Sequence, residues 1–147
     1  MKETGSQRAL KRFFQVNLCG TGESALVLVF RDLVQFRTSE KQAEFRTNSP
    51  VLAVSPLEGG LALVGEDQVL YLLQYSGELG EIQVRDRLDL KNSLFGMKVT
   101  RVVEMVPKSG RLHLFFNRDW LLSVKLDESQ LKVVDFVATQ ITQGEML

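Results

Sequence analysis

The chain has 147 residues, 44% of them hydrophobic, and balances 18 basic against 18 acidic side chains for a formal net charge of zero. That length and apolar content suit one globular domain with a real core and exclude a disordered chain, while the balanced charge gives no global field to attract nucleic acid or an anionic membrane surface. The lone cysteine, Cys19, has no internal disulfide partner, the opening "MKETGSQRALKR" lacks the apolar core of a signal peptide, and the longest wholly apolar run is Ala25 to Phe30, far short of the roughly 20 residues of a spanning helix; a soluble, intracellular protein without a membrane span is expected.

Residues 1–12 form a polar N-terminal segment, with "SQRALKRFF" the one stretch that suits a helix. From Phe13 the pattern changes to apolar runs of four to six residues, rich in Val, Leu, Phe and Tyr and separated by Gly, Asp, Asn and Ser. Runs of this length and composition predict strands. The first unit, about 13–47, reads "FFQVNL", the turn "CGTGES", "ALVLVF", a turn at Arg31 and Asp32, "LVQF", the turn "RTSEKQ" and "AEFRT". The second, about 51–90, reads "VLAVSP", "LEGG", "LALV", "GED", "QVLYLLQY", "SGELG" and "EIQVRDRL". The third, about 99–139, reads "TRVVEMV", "PKSG", "RLHLFF", "NRD", "WLLSVKL", "DESQ" and "LKVVDFVA". The three units together form a β repeat domain over 13–142, followed by a short tail at 143–147.

Aligning Asp32, Asp67 and Asp119 superposes the three units, each an antiparallel four-strand meander with an aspartate at its second turn, the residue chemistry that tight hairpins require. An insertion near Arg85 to Lys98 accounts for the wider second interval. Continuously apolar runs such as "ALVLVF", "LALV" and "VLYLL" predict strands covered on both faces, whereas "RLHLFF" alternates, with Leu112, Leu114 and Phe116 on one face. The fold class is all-β.

A four-strand unit of about 40 residues is the size of a β-propeller blade, and over roughly Phe13 to Thr139 the chain resembles a diverged WD-repeat propeller. The family's Gly-His and Trp-Asp pairs are absent from every unit; Asp119 and Trp120 stand in the reverse order, inside a hairpin. The resemblance implies a partial propeller acting as a scaffold for other proteins, its partners being subunits of an assembly or the remainder of a longer propeller. A β-barrel or β-sandwich binding a lipid headgroup, a peptide or a small apolar ligand is the alternative, since short strands at regular turns also suit those folds. Three units are fewer than the four to eight that close a propeller. The end faces are therefore expected to be uncovered, with Phe13, Phe14, Val27 and Val29 on the first unit and Val133, Val134, Phe136 and Val137 on the last, and the chain to be poorly stable alone.

No catalytic, cofactor-binding or metal-binding signature stands out, so a non-enzymatic role is expected. "CGTGES" lacks the lysine of a phosphate loop and leads into a strand. His113, the only histidine, has no metal-ligand spacing around it and reads as a half-buried strand residue. Cys19 reads as a small hydrophobe, and Trp120, beside Leu121 and Leu122, as packed between sheets. Asp32, Asp67 and Asp119 are assigned structural turn roles, their side chains accepting from nearby backbone amides. Candidate partner-binding residues are Arg85, Arg87, Leu94, Phe95 and Met97, because loops on a rigid scaffold often carry binding and exposed apolar residues in them suggest a partner.

Overall fold

The computed structural model describes residues 9–18, 24–76 and 80–141. The first unit comprises β1 (Arg12–Asn17), β2 (Ser24–Val29), β3 (Leu33–Arg37) and β4 (Gln42–Arg46); the second comprises β5 (Val51–Leu57), β6 (Gly60–Gly65), β7 (Val69–Ser76) and β8 (Glu81–Asp89). A single helical turn, α1 (Leu90–Ser93), precedes the third unit: β9 (Val102–Lys108), β10 (Arg111–Phe116), β11 (Trp120–Asp127) and β12 (Lys132–Gln140). Each unit is one antiparallel sheet with its strands in chain order. No sheet closes on itself and three sheets stack instead of two, so the barrel and sandwich alternatives give way to stacked meanders. No helix among the described residues is long and apolar enough to cross a membrane.

The units repeat down to individual hydrogen bonds. The amide just after each fourth strand donates to the carbonyl just before the third: Thr47 to Asp32 at 3.0 Å, Leu90 to Gln68 at 2.9 Å and Ile141 to Asp119 at 2.7 Å. Pro56 pairs with Leu61 as Pro107 pairs with Leu112, at the same place in β5 and β9. The aspartate alignment is thus shifted by one in the second unit, where Gln68, not Asp67, is the counterpart of Asp32 and Asp119.

The core divides into two apolar layers. One joins the first and second units, with Val27, Val29, Val34 and Phe36 meeting Leu61, Leu63, Tyr71 and Leu73. The other joins the second and third, with Ala62, Val64, Leu70 and Leu72 meeting Leu112, Leu114, Phe116 and Leu122. Successive residues of β6 and β7 therefore point into opposite layers, which explains why both strands are continuously apolar. The innermost strand β5 lies beside β1 and β9, and β8 lies beside β4 and β12, so the sheets stack side by side with the second unit in the middle. Phe36 and Tyr75 stack inside the first layer at 5.4 Å and 8°.

Several expectations require correction. The described part of "SQRALKRFF" is not helical: β1 begins at Arg12, because Phe14 gains more from packing on the first layer than a short isolated helix would supply. "ALVLVF" is covered on one face only, for Ala25, Val27 and Val29 are buried while Leu26 is exposed. Val27 and Val29 thus face the second unit instead of outward, and Phe14 leans the same way; Phe13 is the outward residue, 65% exposed. Val133 turns into the second layer, and Phe136, opposite the buried Val124, shares that side of the sheet instead of facing outward, though its ring is partly exposed; Val137, opposite Ser123, is exposed on the outward face, and Val134 is exposed beside it. The span Arg85 to Lys98 is not one loop, since β8 runs on to Asp89. Cys19 and most of "CGTGES" lie outside the described residues.

Candidate interaction surface

The excursion between the second and third units is short, tightly bonded and anchored from below. Asp89 caps α1: its Oδ1 accepts from the Asn92 amide at 3.2 Å and its Oδ2 from the Asn92 side chain at 3.0 Å, while Ser93 Oγ donates to the Asp89 carbonyl at 2.7 Å. At the other end Phe95 N–H donates to the Asn92 carbonyl at 3.3 Å and Gly96 N–H to the Lys91 carbonyl at 2.7 Å. This pair of bonds is the Schellman closure, whose left-handed residue is usually glycine. Here that residue is Phe95, at φ 58°, with Gly96 following at φ 86°.

Helix geometry then sends adjacent side chains to opposite fates. Leu90 and Leu94, four apart on one side of the turn, are buried in the second core layer, Leu94 at only 2% exposure. Phe95 projects away at 97% exposure, and Lys91 and Lys98, on either side of it in the chain, are exposed as well. Met97 is half-buried against the same layer. Of the three apolar candidates, Phe95 alone is a fully surface group; Leu94 is a core anchor, and its assignment as a partner-binding residue is corrected accordingly.

Arg85 and Arg87 lie in β8, not in a loop. Arg85 Nε reaches the Gln130 carbonyl of the third unit at 3.4 Å, and the Arg87 guanidinium stands 5.7 Å from the Tyr71 ring centre. Between them Asp86, at a bulge in β8, accepts from the Val133 amide of the third unit at 2.7 Å. This part of β8 ties two units together: Arg85 lies at that seam, whereas Arg87 stands over Tyr71 on the side of the first layer.

The three turn aspartates sit in second-to-third-strand turns and act differently. Asp67 Oδ2 accepts from the Tyr71 hydroxyl at 2.5 Å and its Oδ1 from the Val69 amide at 3.3 Å. Burial first, and then the bond to Asp67 and its charge, raise the Tyr71 phenol above its ordinary value. Asp119 Oδ2 accepts from the Gln140 side chain at 3.3 Å, and the Asp32 carbonyl closes the first unit. Two residues that hold the excursion in place were not singled out as such in the sequence. Gln68 bonds both ways to the Val99 backbone. Asn117 accepts from the Thr100 and Arg101 amides at 2.9 and 3.2 Å and donates to the Lys98 carbonyl at 2.7 Å. Both have positive φ, and Asn117 opens the three-residue connection between the paired Phe116 and Trp120, with Arg118 also at positive φ; an asparagine at a hairpin turn, which tolerates that conformation, was the available signal.

A groove of about 600 Å3 runs along the first strands, bordered by Arg12, Ala53, Ser55, Glu104 and Val106. Arg12 Nη1 donates across it to the Val54 carbonyl at 2.8 Å. His113 lies half-buried on β10, and among the described residues no group of three or more His, Cys, Asp or Glu side chains could hold a metal ion.

No family model matches the chain, and no curated protein matches it in sequence. Similarity appears in structure. Two crystal structures of BBS1N in complex with ARL6DN, soaked with lead and with mercury, superpose with TM-scores of 0.57 and 0.60 at 11% and 10% sequence identity, over 89% and 92% of this chain. This chain spans 41% of the BBS1N chain in each. At that identity the likeness establishes fold alone: the three stacked meanders are blades of an incomplete β-propeller.

Proposed function

We propose that this chain is a non-enzymatic protein-interaction scaffold, a diverged relative of the WD-repeat propellers that works inside the cell. Phe95 carries the reading. A bulky aromatic side chain at the left-handed position of a Schellman closure costs backbone energy, and exposing it to water forgoes its burial; a bound partner supplies the burial and so offsets that cost. The closure is held by Asp89 beneath it and by Gln68 and Asn117 beside it, so the side chain is presented on a rigid base, as an aromatic hot spot requires. Lys91 and Lys98 favour a partner whose apolar pocket has an acidic rim. The fold's neighbours were crystallised as complexes with a protein, which accords with this reading. The partners are other protein subunits or further blades of a propeller.

The test is affinity capture from cell extract with the wild-type chain and Phe95→Ala in parallel, each verified as folded by circular dichroism. A protein retained in stoichiometric amount by the wild type and reduced at least about tenfold by Phe95→Ala is expected. Equal retention by both chains would remove Phe95, and with it this reading.

A further inference from the structure

Register fixes which positions of each unit the next unit covers. Val29 pairs with Val34, Val64 with Leu70 and Phe115 with Leu121, so these pairs are equivalent. In the first unit Val27, Val29, Val34 and Phe36 are at most 1% exposed, as are Ala62, Val64, Leu70 and Leu72 in the second. Their counterparts in the third unit are His113, Phe115, Leu121 and Ser123, all only half-buried. The opposite face of the first unit is also uncovered: Leu26 and Leu28 hold the positions that Leu61 and Leu63 fill, fully buried, in the second.

We propose that a second copy of this chain covers both faces. The third unit of each copy stacks on the first unit of the other, and two such seams close a propeller of six blades. Two observations favour this occupant. The stacking used twice within the chain, carried on by one more step, sets the face that carries Phe115 and Leu121 against the face that carries Leu26 and Leu28, apolar on apolar. Both end faces combine an apolar centre with polar neighbours, Gln35 and Arg37 on one and His113 and Ser123 on the other, unlike the wholly apolar internal layers; seams between separately folded chains have that mixed character. A head-to-tail contact that returns on itself after two steps gives a closed two-fold ring, and six blades lie within the range that closes.

Size-exclusion chromatography with light scattering on the full chain, up to about 100 μM, should give twice the chain mass. Leu28→Glu and Phe115→Glu, on opposite faces, should each raise the dimer dissociation constant about thirtyfold or more. An equimolar mixture of the two variants should recover a dimer through the one seam in which both residues are intact. Leu26→Gln and Leu121→Gln repeat the design with milder changes, and circular dichroism confirms that each variant folds. Phe95→Ala should leave the dimer unchanged, which separates this proposal from the partner reading above. A wild-type monomer at the highest concentration overturns the proposal, and so does a dimer that Leu28→Glu leaves intact, because that outcome means a symmetric contact through one face.

Discussion

The side chain of Gln68 makes a two-way bond with the backbone of Val99: its Oε1 accepts from the Val99 amide at 2.6 Å and its Nε2 donates to the Val99 carbonyl at 3.0 Å. Both residues are buried, and the pair fastens the excursion that carries Phe95 to the second unit. Truncation leaves two peptide groups without partners in a place water does not readily reach. Gln68→Ala should therefore destabilise the chain by about 2–4 kcal/mol, read as a lower midpoint in urea with an unchanged slope. A loss under about 0.5 kcal/mol would mean that the excursion is held by Asn117 and Leu94 alone.

Phe95→Gly should stabilise the chain by about 0.5–1 kcal/mol, because glycine adopts φ 58° without the clash a side chain meets, and should abolish partner capture. Thermal melts of the two proteins decide the first half. Destabilisation would show that the exposed ring contributes to folding and is not held there against a backbone cost.

Stability above pH 10 should contain a component due to Tyr71. Its phenol is raised above the ordinary 10.0 by burial first and then by Asp67, so the folded chain favours the neutral form. The contribution is complete below the unfolded value and is lost as pH climbs through the raised folded value. Tyr71→Phe should cost about 1–2 kcal/mol at neutral pH, since Asp67 loses a partner, and should flatten the alkaline fall. Urea midpoints from pH 7 to 11.5 for both chains test it; parallel curves would refute the assignment.

Gly60 should tolerate no side chain. A Cβ there would lie 1.9 Å from the Leu73 carbonyl oxygen, in the β6–β7 ladder that both core layers share, so Gly60→Ala should cost at least about 2 kcal/mol. Phe36→Ala, which removes the ring stacked on Tyr75, should cost about 3–5 kcal/mol. Leu26→Ala, on the exposed face of the same sheet, should cost under about 1 kcal/mol for the isolated chain.

Removing Arg85 to Lys98 as a block should unfold the chain, contrary to what a loop insertion implies. The block includes the end of β8, Asp86's bond to the third unit, and the core residues Leu90 and Leu94. A folded deletion product, by circular dichroism and a cooperative melt, would contradict the packing described.

The sequence by itself determined strand-sized elements and their grouping into three four-strand meanders, because run length and turn residues are local signals; uninterrupted apolar stretches foretold burial on both faces for β6 and β7 but not for β2. It marked Phe95 without separating it from Leu94 and Met97. That separation depends on a capped turn of helix whose rotation sends one neighbour into the core and the next into water. Likewise, no alternation rule says which face of β2 meets another sheet; Val27 is buried and Leu26 exposed because the second unit lies on one side only. The equivalence of Asp32 with Gln68 depends on a carbonyl and not a side chain, so residue identity could not reveal it. Contacts between units, from Asp86 to Val133 and from Gln68 to Val99, join residues far apart in the chain, and their energy exists only where tertiary packing has excluded water from both partners.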